Sequence, residues 1–309
     1  MRLILVGCLI VVMAACTPPG AQPTRSPLAG SFVSPLPTPG LASSPLAAPW
    51  RVFGLPEALP MQRTYLPLAG SPPPRIGVGM SNNHPDCSYL SAVNAEWYYD
   101  WTPEPLQCQN AQGIPMIFSP ELVGAPVSNS EYLLMFNEPD LERRTPEEIA
   151  VAWHNAELFY PERKLIGPNV SHLGLEWLFA WRRAYIELYA TSPTIWAMGV
   201  HCYMTARECE DWTTVNIALA QTWTQSGHVW VTEWAAPPCL YDEDEETGYT
   251  TTLAAAGEFM AWLLANPDVE REAWFHARWR DRACNTDLFD GGGMTAFGWW
   301  HRAAVGSER

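Results

Sequence analysis

The chain has 309 residues, 48% of them hydrophobic and 17% charged, and its 33 acidic side chains against 18 basic ones leave a formal net charge of −15. That balance makes nucleic acid and other polyanions poor ligands, because every approach is repelled, whereas a neutral polysaccharide meets no Coulomb penalty.

Residues 1–16 carry one positive charge, Arg2, then an apolar core and small residues ahead of Cys16. This is the build of a secretory signal, and it is too short for a transmembrane span. Met13-Ala-Ala-Cys16 resembles the bacterial lipobox, with Met in place of the usual Leu. The resemblance implies an exported chain held at the cell surface or membrane through a lipid on Cys16. Residues 17–49 contain nine prolines among Ser, Thr, Ala and Gly; such a segment buries too little to offset its ordering entropy and reads as an extended tether. Residues 50–74 are more apolar, with Trp50, Phe53, Leu55 and Tyr65. An arm packed on the following domain and a plain linker both fit them.

From Arg75 onward about 235 residues remain, enough for one large core. Eight apolar runs of strand length follow: Arg75–Met80, Ala95–Trp101, Ile114–Ser119, Tyr132–Asn137, Lys164–Asn169, Ile195–Tyr203, His228–Glu233 and Glu272–Trp279. They alternate with amphipathic stretches, a pattern that predicts parallel strands with crossover helices. Thr145-Pro-Glu-Glu148 supplies a cap, a first-turn proline and early acids for a helix to about Tyr160. Further helices are predicted over Leu175–Ala190, Trp212–Gln225 and Thr251–Ala265. The connections 81–94 and 102–113 are short, so their helices are stunted or missing. No Gly-rich dinucleotide turn follows the first strand, which disfavours an open doubly wound sheet. The expected fold is α/β, a compact (β/α)8 TIM-type barrel with shortened early helices.

Six cysteines lie in this domain, and an even count in an exported chain points to disulfides. Proximity in the expected strand order pairs Cys87 with Cys108, Cys202 with Cys209 and Cys239 with Cys284. None has a zinc-ligand spacing. The acidic run Tyr241–Glu246 lacks the Gly and the spacing of a calcium loop and reads as a solvated surface segment. No metal or cofactor is expected.

Two glutamates carry the functional signal. Glu138 follows the fourth strand in Phe136-Asn-Glu-Pro-Asp140, and Glu233 ends the seventh in Trp230-Val-Thr-Glu-Trp234. Both therefore fall at the carboxyl rim of the expected barrel, where catalytic residues of this fold stand. In a retaining glycosidase one carboxyl protonates the leaving oxygen while the other, ionised, attacks the anomeric carbon at about 5–5.5 Å separation. Mutual repulsion and partial burial are expected to raise the pKa of one member.

This arrangement resembles the clan A retaining glycoside hydrolases. Together with Trp97-Tyr-Tyr-Asp-Trp101 and His201-Cys-Tyr203 it resembles the small barrels of glycoside hydrolase family 128, the glycosyl hydrolase catalytic core group, over roughly residues 75–300. Gly293-Met-Thr-Ala-Phe-Gly298 is similar to the closing turn of such barrels. The resemblance implies endo-cleavage of β-1,3-glucan, with Glu138 as acid/base, Glu233 as nucleophile and Asn137 bonding the sugar 2-hydroxyl.

Tyr203 is placed to donate a hydrogen bond to Glu233, and His201, two residues earlier on the same face, to line the pocket. Asn169, ending the fifth strand, joins the substrate-binding set. The chain holds 16 tryptophans, and rim aromatics stack on pyranose faces. Trp97, Tyr98, Tyr99, Trp101, Trp234 and Trp279 are the candidates, while Trp153, Trp177, Trp181 and Trp262 fall at core-facing helical positions. The expected partner is a neutral β-glucan, with no nucleic acid and a monomeric chain. A clan A hydrolase of β-1,4-linked polysaccharide and a non-catalytic surface glycan-binding lipoprotein are the competing readings.

Overall fold

The computed structural model describes residues 75–81, 84–235, 245–278 and 286–306, with only the backbone of 245–252. The signal, tether and arm, the third cysteine pair, residues 241–244 of the acidic run and Trp279 lie outside the described residues.

The fold is mixed α/β with a parallel central sheet. Among the described residues nine parallel strands are present: β1 (Ile76–Gly79), β2 (Trp97–Tyr99), β3 (Gln112–Gly113), β4 (Met116–Ile117), β5 (Tyr132–Met135), β6 (Lys164–Ile166), β7 (Met198–Cys202), β8 (Val229–Trp234) and β9 (Val269–Phe275). Each of the eight predicted runs overlaps one of them, with β9 starting at Val269, three residues before its run, and β8 ending one residue past its own; β3 is an addition of two residues. Six strands pair in the order β3-β2-β1-β9-β8-β7, and three in the order β4-β5-β6. Parallel bridges Ile166↔Ala197 and Val170↔Val200 link β6 to β7. On the other side Ile114 N donates to Tyr98 O and Met116 N to Thr102 O, both at 2.8 Å.

Alternation along the strands sorts the side chains into two clusters. One face gathers Trp97, Tyr99, Ile114, Met116, Tyr132, Leu134, Trp230 and Ala273. The other packs Tyr98, Leu133, Met135, Val229, Val231 and Trp274 against the helices. Burial on both faces is why these strands read as continuous apolar runs.

The helices are α1 (Cys87–Ala92), α2 (Pro146–Phe159), α3 (Leu175–Tyr189), α4 (Ala206–Trp223), α5 (Glu245–Ala265) and α6 (Ala296–Gly306). Thr145 caps α2 by accepting from Glu148 N at 3.1 Å, and Pro146 opens it. The α4 helix starts earlier than predicted because Thr205 and Glu208 form a reciprocal capping box. The early helices are stunted as expected: α1, in connection 81–94, has six residues, and connection 102–113 holds no helix; beyond it, Pro120–Leu122 forms only a 3-10 turn. Disulfides Cys87–Cys108 and Cys202–Cys209 have formed as expected. Trp153 and Trp181 are fully buried edge to face at 5.1 Å, and Trp177 and Trp262 pack partly buried on the same core. A hairpin of β10 (Phe289–Asp290) and β11 (Gly293–Met294) leads into α6, where a Cβ on Gly298 would lie 2.3 Å from the Leu288 carbonyl oxygen.

Candidate active site

Glu138 leaves β5 through a backbone that only tight anchoring sustains. Phe136 and Glu138 have φ of 56° and 39°, the left-handed region that side-chain-bearing residues rarely adopt. The segment is pinned on both sides: Phe136 N to Ile117 O at 2.8 Å, Asn137 N to Phe118 O at 2.9 Å, and Glu138 N to Asn169 O at 2.8 Å. Asp140 extends the anchoring by accepting from Ser171 N at 3.1 Å and from the Ser171 hydroxyl.

Glu233 is 3% exposed near the end of β8. Its Oε1 accepts from Trp101 Nε1 at 2.9 Å and faces the Tyr99 hydroxyl at 3.1 Å; its Oε2 accepts from the Tyr203 hydroxyl at 2.6 Å. Burial, then the Glu233 charge, holds both tyrosines well above the usual phenol range, so they remain donors. The pairing of β7 with β8 shifts register between Val200 and His201, which sets His201 opposite Glu233. His201 is wholly buried, with Nδ1 3.0 Å from Glu138 Oε1 and 3.4 Å from Glu233 Oε2. One donor atom from each of Glu138, His201 and Glu233 lies within 4.8 Å of the others, the one such group of potential metal ligands among the described residues.

The electrostatics correct one expectation. Burial pushes the Glu138 carboxyl up, but the His201 hydrogen bond and charge, with a smaller contribution from His172, outweigh it and set the net direction downward. The acid is not pre-raised in this state. For His201 burial disfavours charge, yet the Glu233 charge and the Glu138 bond prevail and its pKa rises.

The structure brings together Glu138, Glu233, His201, Tyr203, Tyr99 and Trp101. Asn137 stands beside them half-buried, its Oδ1 without a hydrogen-bond partner among the described residues. Four of the other candidates are displaced. Trp97 is fully buried deep in the inner cluster, with Nε1 on the Arg75 and Glu272 carbonyls, and a Cβ on Gly77 would lie 2.2 Å from it. Trp234 points to the helix side of β8, packs on Trp274 at 4.7 Å and donates to Glu272 Oε2 at 2.6 Å. Tyr98 is buried on that side too, accepting from Cys108 N at 3.0 Å. Asn169 is fully buried, bonded to Met135 O at 2.9 Å and Thr232 Oγ1 at 3.2 Å. None of the four offers a sugar platform, and neither does Tyr99, which is fully buried and faces Glu233 instead.

Sequence reasoning missed three residues here. Asp140 lay in plain view within the Asn-Glu-Pro-Asp run. Phe275, whose edge contacts reach Trp101 at 5.8 Å and Tyr203 at 5.4 Å, closes the last strand before a cis peptide to His276. Half-buried His172 has a pKa lowered by burial and faces the Glu138 charge; only its place just past the predicted run Lys164–Asn169, which holds β6, hinted at it.

A parallel α/β core that brings two glutamates together where strands end has the layout of a glycoside hydrolase. The model of the glycosyl hydrolase catalytic core family matches residues 77–301, and the chain belongs to that family. Solved structures share its fold. A subgroup II endo-β-1,3-glucanase of family 128 from Pseudomonas viridiflava has TM-score 0.58 and 23% identity, covering 75% of this chain and 98% of that one. A subgroup I endo-β-1,3-glucanase from Amycolatopsis mediterranei, in complex with laminaritriose, has TM-score 0.59 and 21% identity, with 75% and 99% covered. A subgroup III curdlan-specific exo-β-1,3-glucanase from Blastomyces gilchristii, in complex with glucose, has TM-score 0.58 and 24% identity, with 74% and 97% covered. No curated protein sequence matches the chain.

Proposed function

We propose that this protein is a retaining endo-β-1,3-glucanase acting by double displacement, with Glu138 as acid/base and Glu233 as nucleophile. The observation that carries the reading is the closeness of the pair: carboxylate oxygens of Glu138 and Glu233 within 4.8 Å. An inverting enzyme needs room for a water and holds its carboxyls about 6.5–9.5 Å apart, whereas retention needs about 5–5.5 Å.

Each group then has a task. Glu233, ionised and fixed by Tyr203, Trp101 and Tyr99, attacks the anomeric carbon as Glu138 protonates the departing glycosidic oxygen. Glu138 next takes a proton from water as that water opens the glycosyl ester. Asn137, whose Oδ1 has no internal partner among the described residues, accepts from the sugar 2-hydroxyl. Trp101, partly buried beside Glu233, supplies the stacking face. We read the two parallel sheets as arcs of one (β/α)8 barrel, supported by the bridges from β6 to β7 and the bonds from the β4 side to β2.

The preference for β-1,3 linkages is supported by the endo-β-1,3-glucanases among the solved structures that share the fold. Export, a lipid on Cys16 and a monomeric chain belong to the same proposal, and the two disulfides fit an oxidising compartment. The test is incubation with soluble β-1,3- and β-1,4-glucans with product lengths read by chromatography. Internal cleavage of the β-1,3 polymer alone is expected. Cleavage of β-1,4-glucan instead, or binding without turnover, overturns the reading.

A further inference from the structure

One ring nitrogen serves both glutamates. Nδ1 of His201, at 3.0 Å from Glu138 Oε1 and 3.4 Å from Glu233 Oε2, meets two carboxylates, and a nitrogen so placed is a hydrogen-bond donor. The groups that act on this ring electrostatically come from several elements: Glu138 and Asp140 beyond β5, Glu233 on β8, and His172 beyond β6. The Tyr99 and Tyr203 hydroxyls, both held protonated, complete the surroundings through Glu233. Three carboxyls around one buried imidazole supply countercharge for a cationic ring, although its Nε2 is buried without a hydrogen-bond partner among the described residues, so the cation's second N–H is unpaired.

We propose that in the sugar-free site His201 stores the proton needed for acid catalysis and hands it to Glu138 when sugar enters. His201 is thereby a positioning residue that acts through Glu138. The inference rests on the reading of Glu138 as acid/base. In the transfer the Nδ1–H bond breaks, its electron pair stays on the ring, and an O–H bond forms on Oε1. An imidazolium and a carboxylate become a neutral imidazole and a neutral acid, with no proton taken from solvent. The trigger is desolvation. The Glu138 side chain is 22% exposed; a sugar that covers it removes the water favouring the ion pair, and a drier site favours the neutral pair. Glu138 then protonates the leaving oxygen, regains a proton from the attacking water, and returns it to His201 as product leaves.

The test is ¹⁵N NMR of the histidine rings in the full chain, with the His201 signal assigned by its loss in His201→Gln. At about pH 7 the free protein should show a His201 ring protonated on both nitrogens, consistent with the upward shift of its pKa. A saturating thio-linked β-1,3-glucan oligosaccharide, which is not cleaved, should turn that ring neutral. A ring already neutral in the free protein, or one that stays cationic in the complex, overturns the proposal. The variant adds a kinetic arm: Gln keeps a donor but stores no proton, so the alkaline limb of kcat/KM should move acidward by about one pH unit or more. A limb that stays in place, with kcat lowered equally at every pH, would indicate a purely structural role. If the His201→Gln variant fails to fold, the His201 ring is assigned in the unaltered, uniformly labelled protein by through-bond correlation to its backbone, and its charge still decides. If the unaltered protein cleaves no β-glucan, the functional reading fails, while the charge of the free ring still tests the proton store.

Discussion

Tyr203 donates to Glu233 Oε2 across 2.6 Å, shorter than the 2.9 Å bond from Trp101 Nε1 and than the 3.1 Å approach of the Tyr99 hydroxyl, which shares its proton with the Thr232 carbonyl at 2.8 Å. Because the tyrosine follows β7 and the glutamate lies on β8, neighbouring strands fix the nucleophile's angle. Hydrogen bonds to charged groups contribute about 1.5–3 kcal/mol. Tyr203→Phe should therefore lower kcat roughly 10- to 100-fold with little change in KM. The edge contact with Phe275 survives the change, so thermal unfolding should stay close to that of the parent. Steady-state kinetics beside calorimetry checks both halves.

Trp101 and Trp97 lie on one face but at different depths, and their substitutions should separate. Trp101→Phe removes the donor to Glu233 Oε1 and should cost activity of the order of 10-fold while leaving Tm nearly unchanged. Trp97→Ala opens a cavity in the inner cluster and should cost about 3–5 kcal/mol, lowering Tm by roughly 10 °C. Equal Tm losses for the two would contradict their assigned depths.

Glu272 sets a stability limit on the alkaline side. It is 1% exposed, and burial raises its carboxyl from 4.5 to about 8 against the opposing Trp234 bond. Between those values the native chain keeps a proton that the unfolded chain has lost, so stability falls as pH rises through the window. At about 1.4 kcal/mol per pH unit the loss approaches about 5 kcal/mol by pH 8. Glu272→Gln should flatten that decline in urea melts taken from about pH 5 to pH 8.

His301 limits the acid side. Complete burial lowers its pKa from 6.5 to about 4, so here the unfolded chain binds the extra proton. Its contribution is complete above about pH 6.5 and is lost as pH falls toward 4, by roughly 3 kcal/mol. His301→Leu should remove this part of the acid limb without touching the alkaline one. A shift of both limbs would show that the two groups are not independent.

The strands and both glutamates are legible in the sequence because parallel strands buried on two faces print as apolar runs and their ends mark the rim. The start of α4 is written there too, in the Thr205-x-x-Glu208 box, although the apolar periodicity alone points to Trp212. Strand parity places Trp97, Tyr99 and Trp101 on one face without giving depth, so a floor residue reads as a sugar platform. Parity does forbid Trp234 from sharing the face of Glu233, its neighbour in sequence. Strand β3, a Gln-Gly pair, carries no apolar signal. The downward pull on Glu138 depends on His201, 63 positions away in sequence, and no local pattern encodes it.

The most direct measurement is the anomeric configuration of the first product, followed by proton NMR as purified protein cleaves soluble β-1,3-glucan, with Glu233→Ala in parallel. A retaining pair releases the β-anomer first, mutarotating later, and the variant cleaves nothing. An α-anomer first, or turnover that survives loss of Glu233, would contradict the retaining pair.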